Sequence, residues 1–250
     1  MASLSGRVAL VTGGSRGLGP VIASRLAMSG ADVAVSYRES ESQAMGVAAD
    51  IRSLGRRSAA IRGDLSVDDQ SISLVEETER RLGRLDVLVH NVGPGAYTPF
   101  LKLPSEQWHY VMNANCTALY LMAQRVASGM RERGWGRIIA IGAASARIRS
   151  DSVYGLAKDT MRHLVQSLAV EMAPSITVNA ISPGLIADNE DMSADYAAVQ
   201  ASETPMGRLV TRVEVADAVA FLCDDSARYI TGEEIVMDGG RTIPRFGLKG

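Results

Sequence analysis

Tyr154 and Lys158 stand four residues apart in the segment VYGLAKDTMRHL, a spacing that stacks two side chains on one helix face about one turn apart. A phenol with its ordinary pKa of about 10 is a poor acid or base near neutrality. An ammonium beside it stabilises the phenolate and lowers that pKa, which gives a proton donor suited to carbonyl reduction. The same spacing also fits an ordinary pair on an exposed helix, so its meaning depends on what the fold brings around it.

A second chemical signal lies at the other end of the chain. Thr12-Gly13-Gly14-Ser15-Arg16-Gly17-Leu18-Gly19 follows the apolar run 7–12 and opens into a helical pattern. Glycines let a backbone turn sharply against a pyrophosphate, and a helix N-terminus supplies unpaired N–H groups and the positive end of a dipole. The strand before the turn and the helix after it make a dinucleotide the expected ligand. A carboxylate at the end of the second strand would bind the ribose 2′-hydroxyl of NAD and repel a 2′-phosphate. Tyr37-Arg38 stands there instead. Arginine makes forked, charge-assisted bonds to phosphate, so Arg38 and Arg16 with Ser15 point to NADP(H).

The elements that must hold these groups can be read from hydrophobic periodicity. Seven short apolar runs, at 7–12, 32–37, 58–63, 86–91, 137–142, 176–182 and 233–238, predict strands. Helical patterns follow Gly19 and recur at 68–82, 104–132, 153–173 and 213–224. Alternation of this kind predicts an α/β fold, a single-domain doubly wound Rossmann sheet of about seven parallel strands with helices on both faces, spanning 1–250. Right-handed crossovers place the strand C-termini on one edge, where such sheets bind ligands. Residues 184–207 begin acidic and loop-like, become weakly helical, and follow a strand C-terminus, so they are expected to form a substrate lid.

The order of these motifs resembles the short-chain dehydrogenase/reductase family. The likeness covers nearly the whole chain: the glycine turn, His90-Asn91-Val92-Gly93, Tyr154-x-x-x-Lys158, Ser182-Pro183-Gly184, Ile230-Thr231-Gly232 and Asp238-Gly239-Gly240. It is most similar to the 3-oxoacyl-acyl-carrier-protein reductase branch. The resemblance implies that Asp64 and Leu65 face the adenine, that Asn91, Val92 and Gly93 line the adenosine ribose, and that Pro183, Gly184 and Ile186 cover the nicotinamide. It implies Tyr154 as proton donor, Lys158 as its partner and ribose ligand, and Asn115 as holder of a water in the proton relay. Two departures stand out. The family serine that binds the substrate carbonyl falls on Ala143, the following loop is two residues short, and Ser145, or else Ser150 or Ser152, must replace it. Asp188 stands where a threonine often bonds the carboxamide.

The bulk properties agree with a small-molecule enzyme. With 250 residues, 46% of them hydrophobic, and a formal charge of −2, neither disorder nor a nucleic-acid surface is expected. Cys116 and Cys223 sit among apolar residues and imply no disulfide framework or metal site. No run approaches the ~18 apolar residues of a membrane span, so a cytoplasmic location is expected. The expected activity is NADPH-dependent reduction of a ketone or 3-oxoacyl group, free or on a carrier. The alternative is an NADP(H)-binding sensor or scaffold with little or no turnover. The family's helices pair across two-fold axes, which implies a homotetramer or homodimer.

Overall fold

The computed structural model describes residues 4–148, 152–189 and 192–244. Seven strands form one sheet: β1 (Val8–Val11), β2 (Asp32–Tyr37), β3 (Ser58–Arg62), β4 (Val87–His90), β5 (Gly136–Ile141), β6 (Ile176–Pro183) and β7 (Glu234–Met237). All pair in parallel, in the order β3-β2-β1-β4-β5-β6-β7. Each predicted strand is present, and the Rossmann arrangement is the one expected. The chain winds outward from β1 to β3, then returns to the other side of β1 to lay down β4. A crevice opens at that reversal, beyond the strand C-termini.

Both sheet faces are covered, which is why the central strands read as unbroken apolar runs. Successive residues alternate between two cores. Leu10, Leu88 and Ile138 pack with Leu74, Leu119, Met122 and Val165, beneath α3 (Asp68–Leu82), α4 (Ser105–Met112), α5 (Ala118–Glu132) and α6 (Val153–Met172). Val11, Val89 and Ile139 pack with Ile22, Leu26, Ile51 and Val219, beneath α1 (Leu18–Met28), α2 (Glu41–Ser53) and α8 (Arg212–Cys223). Burying each such side chain contributes roughly 1.5–3 kcal/mol.

Two features differ from the periodicity. The predicted helix 104–132 is two helices, α4 and α5, joined by a π-helical turn at Asn113–Thr117. The segment after β2, assigned no element from sequence, forms α2; its buried stripe is only Ala44, Ala48 and Ile51. The weakly helical part of 184–207 contains α7 (Ala194–Ser202). Among the described residues no helix is long and apolar enough to cross a membrane.

Candidate active site

The glycine turn is built as its composition requires. Gly13 and Gly17 take φ of 62° and 63°, in the region that favours glycine. The turn is tied to β2, where Gly14 N donates to Ser36 O (2.9 Å) and Gly13 N to Ser36 Oγ (3.2 Å). A Cβ on Gly19 would collide with the carbonyl of Gly13, so the third glycine lets the helix start against the turn. Across the crevice, Asn91 closes the ends of β1 and β4. Its side chain donates to Thr12 O (3.0 Å) and Gly13 O (3.3 Å), and its backbone N donates to Thr12 Oγ1 (2.9 Å).

These loops enclose a cavity of about 490 Å³, within the range of small-molecule and cofactor sites. Of the residues expected to bind dinucleotide, Gly13, Ser15, Arg16, Gly17, Tyr37, Arg38, Asp64, Leu65, Asn91, Val92 and Gly93 line it. Leu18 and Gly19 instead pack the first turn of α1. Pro183 ends β6, and Gly184 N donates to Met237 O (3.0 Å), close against Asp238. Ile186 bridges to Val210. These three lie outside the cavity wall. Asp64 is also a turn residue, its Oδ1 accepting from Ser66 N (2.9 Å) and Ser66 Oγ (2.7 Å).

Behind Gly93, on the cavity wall, Tyr154, Lys158 and Asn115 come together. Helix α6 begins with a cap, Ser152 Oγ accepting from Gly155 N (3.2 Å). It then buries Val153, Ala157, Met161 and Val165 against the sheet, which carries Lys158 inward. Lys158 Nζ donates to Ile141 O (2.8 Å) and lies 5.8 Å from the Tyr154 ring centroid. A Cβ on Gly93 would lie 2.5 Å from Lys158 Nζ and 3.0 Å from Asn115 Oδ1. Glycine at 93 therefore lets the cavity wall pack directly against both groups, which, like Tyr154, stand behind the wall and not on it. Asn115, on the π turn, donates through Nδ2 to Val111 O (2.8 Å) and Pro94 O (3.2 Å), while its Oδ1 is a buried acceptor with no protein partner. The Tyr97 ring stands 5.8 Å from that of Tyr154.

The electrostatics correct one expectation. Burial raises the Tyr154 phenol to about 12, with a further push from Tyr97, whereas Lys158 was expected to lower it. Burial also lowers Lys158 to about 8. The reason is that both groups are taken out of water while the ammonium is directed at the Ile141 carbonyl. Beneath them, His90 is buried, its Nε2 3.1 Å from Asn115 O, and burial followed by the Lys158 charge lowers it to about 3. It is a neutral support.

The serine question resolves into placements. Ala143 is buried at the end of β5 in extended backbone. Ser145 lies on the short 3₁₀ turn Ala144–Arg147, exposed and outside the cavity wall. Ser152 is the helix cap, and Ser150 lies outside the described residues. A Cβ on Gly142 would strike Ser182 Oγ, which donates to Glu234 Oε1 (2.5 Å). The space beside Gly142 thus already holds a hydroxyl, committed to a carboxylate.

Several wall residues carried no local signal. Tyr110, from α4, accepts from Arg38 Nη1 (2.5 Å), and Arg38 also pairs with Glu39 (2.9 Å). Asp188 pairs with Arg212 of α8, and Asn189 and Arg212 both line the cavity. The Arg38–Tyr110 and Asp188–Arg212 contacts join segments far apart in sequence.

A doubly wound sheet with a glycine turn over its crevice and a Tyr-Lys pair behind the crevice wall defines a class of dinucleotide-dependent oxidoreductases. The chain belongs to the short-chain dehydrogenase/reductase family. The family model described as Enoyl-(Acyl carrier protein) reductase matches residues 13–242. The chain is 34% identical to a 3-oxoacyl-acyl-carrier-protein reductase of Pseudomonas aeruginosa over 95% of this chain and 98% of that one. It is 36% identical to an acetoacetyl-CoA reductase of Shinella zoogloeoides, over 94% and 98%. The solved structure of a short chain dehydrogenase from Burkholderia cenocepacia in complex with NADP is similar with a TM-score of 0.87 and 35% identity, covering 95% of this chain and 98% of that one.

Proposed function

We propose that this protein reduces a ketone or 3-oxoacyl carbonyl to an alcohol with NADPH, with Tyr154 donating the proton. The observation that carries the reading is the convergence of Tyr154, Lys158 and Asn115 behind Gly93, a residue of the same cavity wall as the glycine turn. Bound NADPH supplies the hydride. The glycine turn with Ser15 and Arg16 would hold its phosphates. Arg38 would meet the ribose 2′-phosphate, Asp64 and Leu65 the adenine, and Asn91, Val92 and Gly93 the sugar. Pro183, Gly184 and Ile186 would cover the ring. The cavity is of cofactor size, and the unpartnered Asn115 Oδ1 is a buried acceptor directly behind Gly93 of its wall.

Tyr154, protonated throughout the neutral range, transfers its proton to the carbonyl oxygen as charge develops there. Lys158 favours the phenolate left behind and would bond the nicotinamide-side ribose. Asn115 orients the relay to solvent. Ser145, the sole hydroxyl on residues 143–148, would turn inward to bond the substrate oxygen. Segment 184–207 covers the substrate, and Tyr97 and Phe100 give the pocket an apolar wall suited to an acyl chain, free or carrier-bound. The chain acts as one domain, in the cytoplasm, as a homotetramer or homodimer.

The test is NADPH consumption against a panel of ketones and 3-oxoacyl thioesters. Reduction of at least one, abolished in Tyr154→Phe with NADPH binding retained, is expected. Tight NADPH binding without turnover on any member would instead establish a dinucleotide-binding sensor or scaffold. That second reading is favoured by the buried Ala143 and by the exposed position of Ser145.

A further inference from the structure

All seven strands run in parallel, so the helices that return the chain between them start at the C-terminal edge of the sheet. Helices α1 and α8 are neighbours on one face, packed along each other and joined by Arg25–Asp217. Their first residues therefore sit side by side. The start of α1 is the glycine turn, and the first residue of α8 is Arg212. Arg212 lines the same cavity as Gly13, Gly17 and Arg16, with its side chain 15% exposed.

Asp188, extending from the end of β6, holds it there. Arg212 N donates to Asp188 Oδ1 (3.3 Å), and its Nε lies 3.6 Å from Asp188 Oδ2. The carboxylate is half exposed and anchors the arginine from outside the cavity. The sheet order fixes which part of a ligand this arginine meets. Arg38 follows β2, on one side of β1. Arg212 is set beside the loop from β6, on the opposite side, with Asn189 next to it on the wall. One guanidinium therefore flanks the glycine turn on its adenosine side and the other on its nicotinamide side.

We propose that Arg212 binds the diphosphate bridge of the dinucleotide beside the glycine turn, on its nicotinamide side, and that Asp188 is its positioning residue. This rests on the dinucleotide reading above. The bridge is common to NADPH and NADH, so Arg212 strengthens both alike, whereas Arg38 discriminates between them. Charge-assisted bonds of this kind are strong enough to be measured directly.

The experiment is a fluorescence titration of the full chain with NADPH and NADH, and a calorimetric titration with 2′,5′-ADP, which carries the 2′-phosphate and the adenosine-side phosphate but lacks the nicotinamide-side half of the bridge that Arg212 would meet. In Arg212→Gln both dinucleotides should weaken roughly tenfold, with their ratio and the 2′,5′-ADP affinity unchanged. The unchanged probe also reports that the adenosine half is folded. Arg212→Lys should recover part of the loss, as a point charge without the fork. Unchanged dinucleotide affinity in Arg212→Gln overturns the inference, and so does weakening of NADPH alone, which would place Arg212 on the 2′-phosphate. If the wild type binds neither dinucleotide, the cofactor reading fails first and this inference with it.

Discussion

At the scale of single residues, function turns on how the fold treats two titratable side chains. Lys158 is cationic below about 8 and loses its proton above it, because burial disfavours its charge. The Tyr154 phenol, pushed up to about 12, stays protonated across the working range, as the proposed donor must. The kcat/KM for reduction should therefore be level on the acid side and fall as pH rises through about 8. In Lys158→Arg any remaining activity should lack that limb, since guanidinium does not deprotonate there. A profile that instead rises through pH 8 would show that Lys158 does not act as a cation. Ser145→Ala should lower turnover by ~100-fold with NADPH affinity unchanged, the usual consequence of losing one donor to the developing oxyanion. Normal turnover would leave the carbonyl to Tyr154 alone. The Tyr154 and Lys158 positions were legible because a four-residue spacing is local. The direction of the Tyr154 shift was not, because desolvation depends on what the whole fold stacks above the ring.

At the scale of elements, α6 presents both groups and depends on its cap. Replacing Ser152 by Ala removes the acceptor for Gly155 N, which should cost about 1 kcal/mol and lower the melting temperature by ~2–4 °C. Turnover below melting should stay near wild type, measured by the same NADPH assay alongside a thermal scan. Loss of turnover at full stability would mean that Ser152 serves substrate instead. The strands were legible because parallel strands buried on both faces are continuous apolar runs. Helix α2 was not. Two of its three inward residues, Ala44 and Ala48, are alanines, too small to raise a helical period above the polar background. The broken helix at Asn113–Thr117 was hidden for a different reason, since both halves keep a buried stripe and only the join changes pitch.

For the whole molecule, the charges around the cavity set which dinucleotide is held. Arg16 and Arg38 face Glu39 and Asp64 along the wall. NADPH should bind at least about tenfold tighter than NADH, and Arg38→Ala should weaken NADPH much more than NADH. Equal affinities for the wild type would contradict this. The Arg38–Glu39 pair tempers the preference, so Glu39→Gln should widen it. Association belongs to the same scale. Tyr120 and Leu156 leave large apolar area exposed on α5 and α6, as does Phe221 on α8, and light scattering should report a closed dimer or tetramer. A monomer at micromolar concentration would contradict that. The overall architecture was legible because strands alternating with helices build a parallel, doubly wound sheet, whereas the strand order came only with the structure. The pairings of Arg38 with Tyr110 and of Asp188 with Arg212 were not, because they join segments that meet only once the sheet is closed.

The π turn at Asn113–Thr117 makes part of this site a matter of arithmetic. A helix advances about 100° with each residue, and a π turn is one residue more than an α-helix would use. Asn115 lies on that turn, where its amide reaches Pro94 and Val111. Deleting a single residue from the turn would let the helix run on smoothly while rotating everything before it relative to everything after. A survey that exchanges one side chain for another leaves the count intact and is blind to this. Asn115 is thus specified twice, once by its letter and once by the length of the chain around it, and only the first can be read by substitution.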